Sequence, residues 1–530
     1  MFASLGPARL PVFRRPICWI VVAALVCCLS IISTKAAEKG ASYQAALDSI
    51  TPEGLGQYVG ELADPSMEGR ESGTRGGLAA SKYVVEQFTR LHLEPAGTDG
   101  KYVQPFQPNF RNVLAMIQGS DAELRDQVIL VGAHYDHVGY GGHGTSLDSG
   151  GSVHPGADDN ASGTSAVVKL AEAFAMLPTP PKRSILFAAW DAEEKGMLGT
   201  RHWTAHPTVP INHVAAAINL DMIGHLRDGR VTVMGSRTGY GWRRLLSSQN
   251  DGLDLSLEFC WTMKPVADHY SFFCQDIPVI MMHTGMHDYY HRATDTAATI
   301  DQSGMMRVTR LVFGVVYELA DRSAVLPGFR ETSRHETAET EKSILAGVKK
   351  PADRLGVGWI DDPATTGGVR VSQISRGSPA ERAGLRVDDC ILEFAGRPLR
   401  SDDDFFAAVS SAENPASLRL KRTGEEKPLE LTVQLDGVPL RWGFTWRVDD
   451  AEPGTIILTH VVPGSPAALA GLQTGDCIDQ VGGQDFADEA VFAERMKDVA
   501  ESALLLVEHD GRLRTVIIQL RPAAPVRRAA

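Results

Sequence analysis

The chain has 530 residues, too many for one ordinary hydrophobic core, and its 43% hydrophobic and 22% charged content is that of a folded globular protein. Two or three domains are expected. The net charge of −13 repels phosphate backbones, so nucleic acid is not an expected partner, and seven cysteines do not make a disulfide framework.

At the N-terminus, Arg9, Arg14 and Arg15 precede the apolar run Ile17 to Ile32, and Ser33-Thr34-Lys35-Ala36-Ala37 supplies small residues suited to signal peptidase. Residues 1–36 read as a signal peptide, and the protein as exported: periplasmic, secreted or held in the cell envelope. The apolar run falls short of the roughly 20 residues that span a bilayer, so a membrane anchor, formed only if the segment stays uncleaved, is the second reading. A buried core helix is the third, and the basic flank argues against it. Removing the segment takes away four basic residues and no acidic ones, which deepens the negative charge. It also removes Cys18, Cys27 and Cys28. Of the remaining cysteines, Cys260 and Cys274 either pair in an oxidising compartment or stay as unpaired thiols.

Between residues 41 and 325, short apolar runs alternate with helical patterns. Val128–Val131, Ser184–Phe187, Val214–Asn219 and Pro278–Met281 read as strands, and the stretches around 162–176 and 304–319 as helices. The alternation predicts an α/β domain with a mostly parallel central sheet flanked by helices. Metal-type residues follow these strands in a fixed order: His134 in AHYDHVG, Glu194 in WDAEEKG, Asp221 in NLDMIG and, after a longer loop, His291 in YYHRATDT. Asp159 stands in GADDNASG at the start of the first helix. Such positions lie outside the carboxyl ends of the strands, where open α/β sheets bind ligands.

Each residue taken alone is better explained as a solvated or capping group. Together, two imidazoles and three carboxylates suit a pair of zinc-like ions. Asp136, two residues from His134, is placed to accept the other ring N–H and fix the tautomer. His137 has no such partner and reads as a structural or wall residue. Glu193 and Glu194 can both face the centre only if the chain bends out of the strand, since neighbouring strand side chains point to opposite faces. One glutamate then ligates while Glu193 moves a proton, because a ligating carboxylate is a poor acceptor. Trp190, Tyr289 and Tyr290 flank these residues, and packing is their commoner use. Asn160-Ala161-Ser162 spells a glycosylation sequon, but a glycan would fill the site, so the match reads as chance. His335-Glu336-Thr337-Ala338-Glu339 lacks the second histidine of a zinc helix, and Ser162 and Ser165 form no nucleophile elbow.

Residues 326–350 are polar and charged without apolar periodicity and read as a linker. Beyond them GSPAERAGL (377–385) recurs as GSPAALAGL (464–472), a shift of 87 residues that also pairs Gly356 with Gly443, Trp359 with Trp446 and Cys390-Ile391 with Cys477-Ile478. Residues 351–436 and 437–523 are therefore two copies of one small β-rich domain. Each resembles a PDZ domain, on the GSPAxxAGL motif followed by Asp-Cys-Ile and on the loops Leu355-Gly356-Val357-Gly358 and Trp442-Gly443-Phe444-Thr445. In that family the loop's main-chain N–H groups take a peptide's terminal carboxylate, so Gly356, Val357, Gly443 and Phe444 are the expected contacts with a C-terminal peptide ligand. Packing of either copy on the first domain is the competing use.

The ordered set HxD, GADDNASG, Glu-Glu, NLDMIG and YHRATDT resembles the co-catalytic di-zinc aminopeptidases, of the bacterial leucyl aminopeptidase and Streptomyces aminopeptidase type, related to glutamate carboxypeptidase and glutaminyl cyclase. The resemblance covers about residues 41–322. It implies two zinc ions, with manganese or cobalt as alternatives. Asp159 would bridge them, Glu194 and His291 would complete one site, and His134 and Asp221 the other. It implies hydrolysis of N-terminal residues from peptide or protein substrates, with Glu193 taking the proton of water and returning one to the leaving amine. Asp191-Ala192 stands where members often carry Ser-Gly before the glutamate pair. Two readings compete with the aminopeptidase: a glutaminyl-cyclase-like acyltransferase, and a peptide-binding adaptor on an inactive hydrolase scaffold.

Overall fold

The computed structural model describes residues 40–142, 145–322, 325–346, 353–361 and 368–520. The proposed signal peptide, residues 1–36, lies outside the described residues, as does the end of the segment read as a linker. No helix among the described residues is long and apolar enough to cross a membrane.

Nine strands form the first sheet: β1 (Glu94–Pro95), β2 (Val103–Phe106), β3 (Phe110–Ile117), β4 (Val128–His134), β5 (Ser184–Trp190), β6 (Val214–Leu220), β7 (Arg230–Met234), β8 (Ser256–Cys260) and β9 (Val279–His283). Their order is β1-β3-β5-β4-β6-β9-β7-β8, with β2 also paired to β3. The centre, β5-β4-β6-β9, is parallel, while β3 and β7 join it antiparallel. The parallel core is the α/β sheet that the sequence pattern predicts, and the antiparallel strands extend it at both sides.

Both faces of the central strands are covered, which is why these strands read as continuous apolar runs. Ile129, Val131 and Ala133 of β4 enter one core with the helices Pro52–Leu62, Arg75–Arg90, Gly163–Ala175 and Gln302–Tyr317. Val128 and Leu130 face the other core, where Trp190, Trp203 and Phe272 pack together. Helix starts follow local chemistry. The Thr51 side chain accepts from Gly54 N with Pro52 in the first turn, and Asp301 accepts from Gly304 N.

The two repeats form sheets of identical order. The first is β10 (Val357–Asp361), β11 (Val369–Ile374), β12 (Cys390–Phe394), β14 (Ala416–Lys421) and β15 (Leu429–Val433), with β13 (Arg397–Pro398) on β12. The second is β16 (Phe444–Arg447), β17 (Ile456–Val461), β18 (Cys477–Val481), β20 (Ser502–His509) and β21 (Arg512–Gln519), with β19 (Gln484–Asp485) on β18. Register breaks recur at Gly358/Trp359 and Thr445/Trp446, the same 87-residue shift seen in the sequence. In each copy the tryptophan packs edge-on against a helix phenylalanine, Trp359 on Phe405 and Trp446 on Phe492.

The stretch from 326 is not a free tether over its described part. Arg330 is fully buried and donates to Arg237 O (2.6 Å), to Glu336 and to Asp450 (2.8 Å). Its polar composition, which reads as a linker, serves a network of ion pairs between the α/β domain and the second repeat. That repeat is anchored further. Arg237 bonds Glu336 and Asp449, Arg243 pairs with Glu508 (2.7 Å), and Glu452 accepts from Arg243 N (2.9 Å) and Arg244 N (3.3 Å). The β20–β21 turn meets the edge strand β8, where Leu257 N donates to Asp510 O (2.8 Å). Cys260 and Cys274 do not pair and are free thiols, as is Cys477.

Candidate metal centre

His134 ends β4, Glu193 and Glu194 follow β5, and Asp221 follows β6. The bend required to turn two consecutive glutamates inward is made at Ala192, whose φ of 58° lies in the left-handed region. Members of the resembling family often have glycine there. A left-handed residue with a Cβ costs roughly 1–2 kcal/mol, and this chain carries that cost in a fully buried position. Asp191 fixes the bend, its carboxylate accepting from Arg111 N (2.8 Å) and from Ala192 N (2.9 Å).

The five sequence-predicted ligands come together. His134 Nε2 lies 3.5 Å from Asp159 Oδ1 and 3.5 Å from Asp221 Oδ1. His291 Nε2 lies 3.0 Å from Asp159 Oδ2 and 3.2 Å from Glu194 Oε2. Ligand atoms around one tetrahedral zinc at 2.0–2.2 Å stand about 3.4 Å apart, so the donor atoms are already at coordination spacing. The two oxygens of Asp159 face different groups, His134-Asp221 on one side and Glu194-His291 on the other. The donor set of imidazole and carboxylate fits a zinc-type ion.

Two features differ from the sequence reading. Asp136 does not hold His134 mainly through its carboxylate. The ring Nδ1 bonds the main-chain oxygen of Asp136 at 3.2 Å, and the carboxylate is 3.6 Å away. That carboxylate instead accepts from Glu193 N (3.0 Å), Glu194 N (3.3 Å) and Ser72 Oγ (2.9 Å), so it ties the glutamate pair to the His134 loop. His137, read as a wall residue, enters the cluster itself, with Nδ1 2.9 Å from Glu194 Oε1 and 3.8 Å from Asp159 Oδ2. Burial pushes its pKa down to about 3, which leaves a neutral imidazole suited to donating or ligating.

Charge is concentrated here. Burial opposes protonation of His291, but Asp159 and Glu194 push its pKa up to about 10. Burial likewise opposes protonation of His134, and Asp136 and Asp221 hold it well above its ordinary value. Both imidazoles sit where the carboxylates demand a cation. The Nδ1–H of His291 donates to Thr145 O (2.6 Å), leaving Nε2 turned toward Asp159 and Glu194. Glu193 ranks among no ligand group, and burial pushes its carboxyl well above the usual range, as a proton acceptor requires.

Several residues that shape the centre were not singled out in the sequence. Asp295 accepts from Asp158 N (3.0 Å) and Asp159 N (3.1 Å) and so holds the helical turn Ala157–Ser162 that carries Asp159. Asp158 binds His287 Nε2 (2.9 Å), which clasps the loop leading to His291. Asn160 is fully buried and bonds Leu220 O, so the sequon is internal. Trp190 is buried in the apolar core, whereas Tyr290 stacks on His291 at 3.9 Å between ring centres. Of these, Asp295 and His287 had a visible signal in the sequence: polar residues close to His291.

In the repeats, Gly356 and Gly443 have φ of 77° and 81°, and a Cβ on either would fall within 2.4 Å of Ser378 or Ser465. Glycine is required there by both conformation and space. Val357 and Phe444 turn their side chains into the core, leaving only main-chain groups for a ligand. Beside the first loop is a cavity of about 150 Å³ whose apolar wall is Leu355, Val357, Trp359, Phe405, Phe406 and Val409, with Asp353, Arg354 and Ser410 completing the lining. At the 87-shifted positions Trp442, Phe444 and Met496 replace Leu355, Val357 and Val409 with larger groups. Trp446 Nε1 bonds Glu489 Oε1 (2.9 Å) in the second copy.

Comparison with known proteins agrees with this division. Residues 112–316 match peptidase family M28, and residues 370–422 and 457–509 match the PDZ domain. The aminopeptidase YwaD of Bacillus subtilis is 28% identical over 204 residues, 36% of this chain and 41% of that protein. A probable periplasmic serine endoprotease, DegP-like, of Chlamydia pneumoniae is 28% identical over 162 residues, 27% of this chain and 33% of that protein. The chain thus spans about a third of the length of the first curated relatives it matches. The structure of the Legionella pneumophila LapA aminopeptidase is similar over 53% of this chain and 75% of its own, at 23% identity and a TM-score of 0.44. Residues of the α/β part of the chain thus match the model of peptidase family M28, and two matches to the PDZ domain follow it.

Proposed function

We propose that the protein is a two-zinc aminopeptidase that removes N-terminal residues from peptides outside the cytoplasm. The observation that carries the proposal is Asp159, whose two carboxylate oxygens face separate ligand groups at coordination spacing. His134 and Asp221 would hold one ion, and Glu194 and His291 the other, with His137 beside the second. When bound, the ions supply Lewis acidity and lower the pKa of water. Glu193 accepts the proton of the attacking water and returns one to the leaving amine. Asp136 keeps Glu193 and Glu194 in register with His134. The substrate's free α-amine is the group expected against the acidic centre. Export is supported by the signal-type pattern of residues 1–36.

The PDZ copies divide the remaining work. The first, with its apolar cavity beside the Gly356 loop, is proposed to receive C-terminal peptide segments. The second is committed to contact with the peptidase domain.

The test is Glu193→Gln in the full chain, assayed on a panel of aminoacyl arylamides with zinc content measured in parallel. Turnover is expected to fall by at least about 100-fold, the usual lower bound for loss of a general base, with zinc content near wild type. Undiminished hydrolysis would overturn the role of Glu193. Pyroglutamyl product in place of free amino acid would move the protein to the cyclase class, and the absence of either product from the wild type would leave the adaptor reading.

A further inference from the structure

The Met67-Glu68-Gly69-Arg70-Glu71-Ser72-Gly73-Thr74 loop is built in an unusual way. Glu68, Gly69 and Arg70 all have left-handed φ, at 51°, 67° and 51°. A Cβ on Gly69 would stand 2.4 Å from Gly139 O and 2.5 Å from His154 O, so only glycine permits the approach. The loop then runs alongside the His134 segment. Gly139 N donates to Gly69 O (3.0 Å), His137 N to Arg70 O (3.3 Å), and Ser72 Oγ to Asp136 (2.9 Å).

This turn drives Arg70 into the interior, where its exposure is 0%. Nε donates to Tyr135 O (2.8 Å), between His134 and Asp136. Nη1 donates to Leu62 O (2.7 Å) and Pro155 O (2.5 Å), and Nη2 to Gly156 O (2.8 Å), three residues before Asp159. Every one of these acceptors is a main-chain carbonyl, and among the described residues no carboxylate is within ion-pair distance. A fully buried guanidinium without a carboxylate in direct contact is destabilising, a cost that core packing alone does not offset. Burial pulls its pKa down to about 10, while Asp295, Asp159, Asp136 and Glu194 hold it up, so it stays charged at neutral pH.

We infer that Arg70 is the positioning residue of the metal centre: its rigid fork sets the spacing between the His134 and Asp159 loops, and its charge balances their carboxylates from behind. The two loops carry ligands from different parts of the chain, and Arg70 donates to main-chain oxygens of both, Tyr135 O on one and Gly156 O on the other. A lysine would keep the charge but not the planar fork that reaches both loops at once.

The inference rests on the two-zinc reading, and the experiment separates the two. Zinc affinity of the purified full-length chain is measured by chelator competition for wild type, Arg70→Lys and Arg70→Met, with circular dichroism of the zinc-free proteins. Arg70→Lys is expected to fold and to bind zinc at least about 10-fold more weakly, the scale of lost support behind metal ligands, and Arg70→Met more weakly still. Excess zinc is expected to restore most of the Arg70→Lys turnover, because the ligands themselves are intact. A folded Arg70→Lys with wild-type affinity would overturn the inference. Failure of Arg70→Lys to fold would also overturn it, by making Arg70 a general determinant of the fold. A wild type that binds no zinc would instead defeat the two-zinc reading.

Discussion

Ala192 and Asp136 show what single residues contribute around the glutamate pair. A left-handed Ala192 turns both glutamates inward, and Asp136 then pins their amides to the His134 loop. Asp136→Asn removes a charge and places an amide N–H where one of those N–H groups now donates. Its zinc affinity is expected to drop about 10- to 100-fold, checked by chelator competition, because the mutation loosens two ligand loops together. Unchanged affinity would show that the carboxylate only fills space. At this scale the clustering of the candidate ligands was legible, since imidazoles and carboxylates after strands are rare enough in combination to be read. Arg70 was not, because its partners are main-chain carbonyls 8 to 86 residues away, which no side-chain pattern reveals. The displaced role of Asp136 was hidden for the same reason: sequence spacing pairs it with His134, whereas its carboxylate bonds Ser72 and the amides of Glu193 and Glu194.

Secondary-structure elements depend on distant chemistry as well. The helix Trp242–Gln249 begins after Gly241, which has no side chain to cap it. Glu452 of the second repeat supplies the cap, accepting from two main-chain N–H groups of the first turn. Glu452→Ala would leave both part-buried N–H groups without their carboxylate partner, at a cost of about 1 kcal/mol or more. The expected outcome is a lower thermal midpoint with unchanged hydrolysis of small substrates, measured on the same preparation. A midpoint equal to wild type would mean that water replaces the carboxylate. The strands that carry ligands were visible as apolar runs because both of their faces are buried. The outer strands β7 and β8 were not, being short and partly polar, and the antiparallel attachment of β7 to β9 cannot be read from a period-2 pattern. The stretch 326–346 misled for a related reason: an ion-pair network has the composition of a linker.

For the whole molecule, the second repeat is attached through ion pairs, a helix cap and a strand-edge contact, whereas its own groove positions carry the larger residues. Arg237 follows β7, which runs antiparallel to β9, so the Arg237–Asp449 clamp sits at the end of the sheet opposite the ligands. Deleting residues 345–530 is therefore expected to spare the hydrolytic rate per folded molecule on aminoacyl arylamides while lowering the thermal midpoint by on the order of 10 °C. Calorimetry alongside active-site-normalised kinetics checks both halves. Loss of rate in a folded truncation would place the repeats at the substrate entrance. The repeat itself was plain in the sequence from its 87-residue shift, but which copy would bind outward and which inward depended on packing partners in another domain.

The hydrogen bond from Leu257 to Asp510 has a consequence for behaviour at high concentration. On its far side the main sheet ends in the two-residue β1 and the four-residue β2, and on this side the turn after β20 occupies the outer edge of β8. An uncovered β8 would offer a template for strand addition between molecules. With part of that edge occupied by the second PDZ domain, the truncated peptidase is expected to be the form that aggregates.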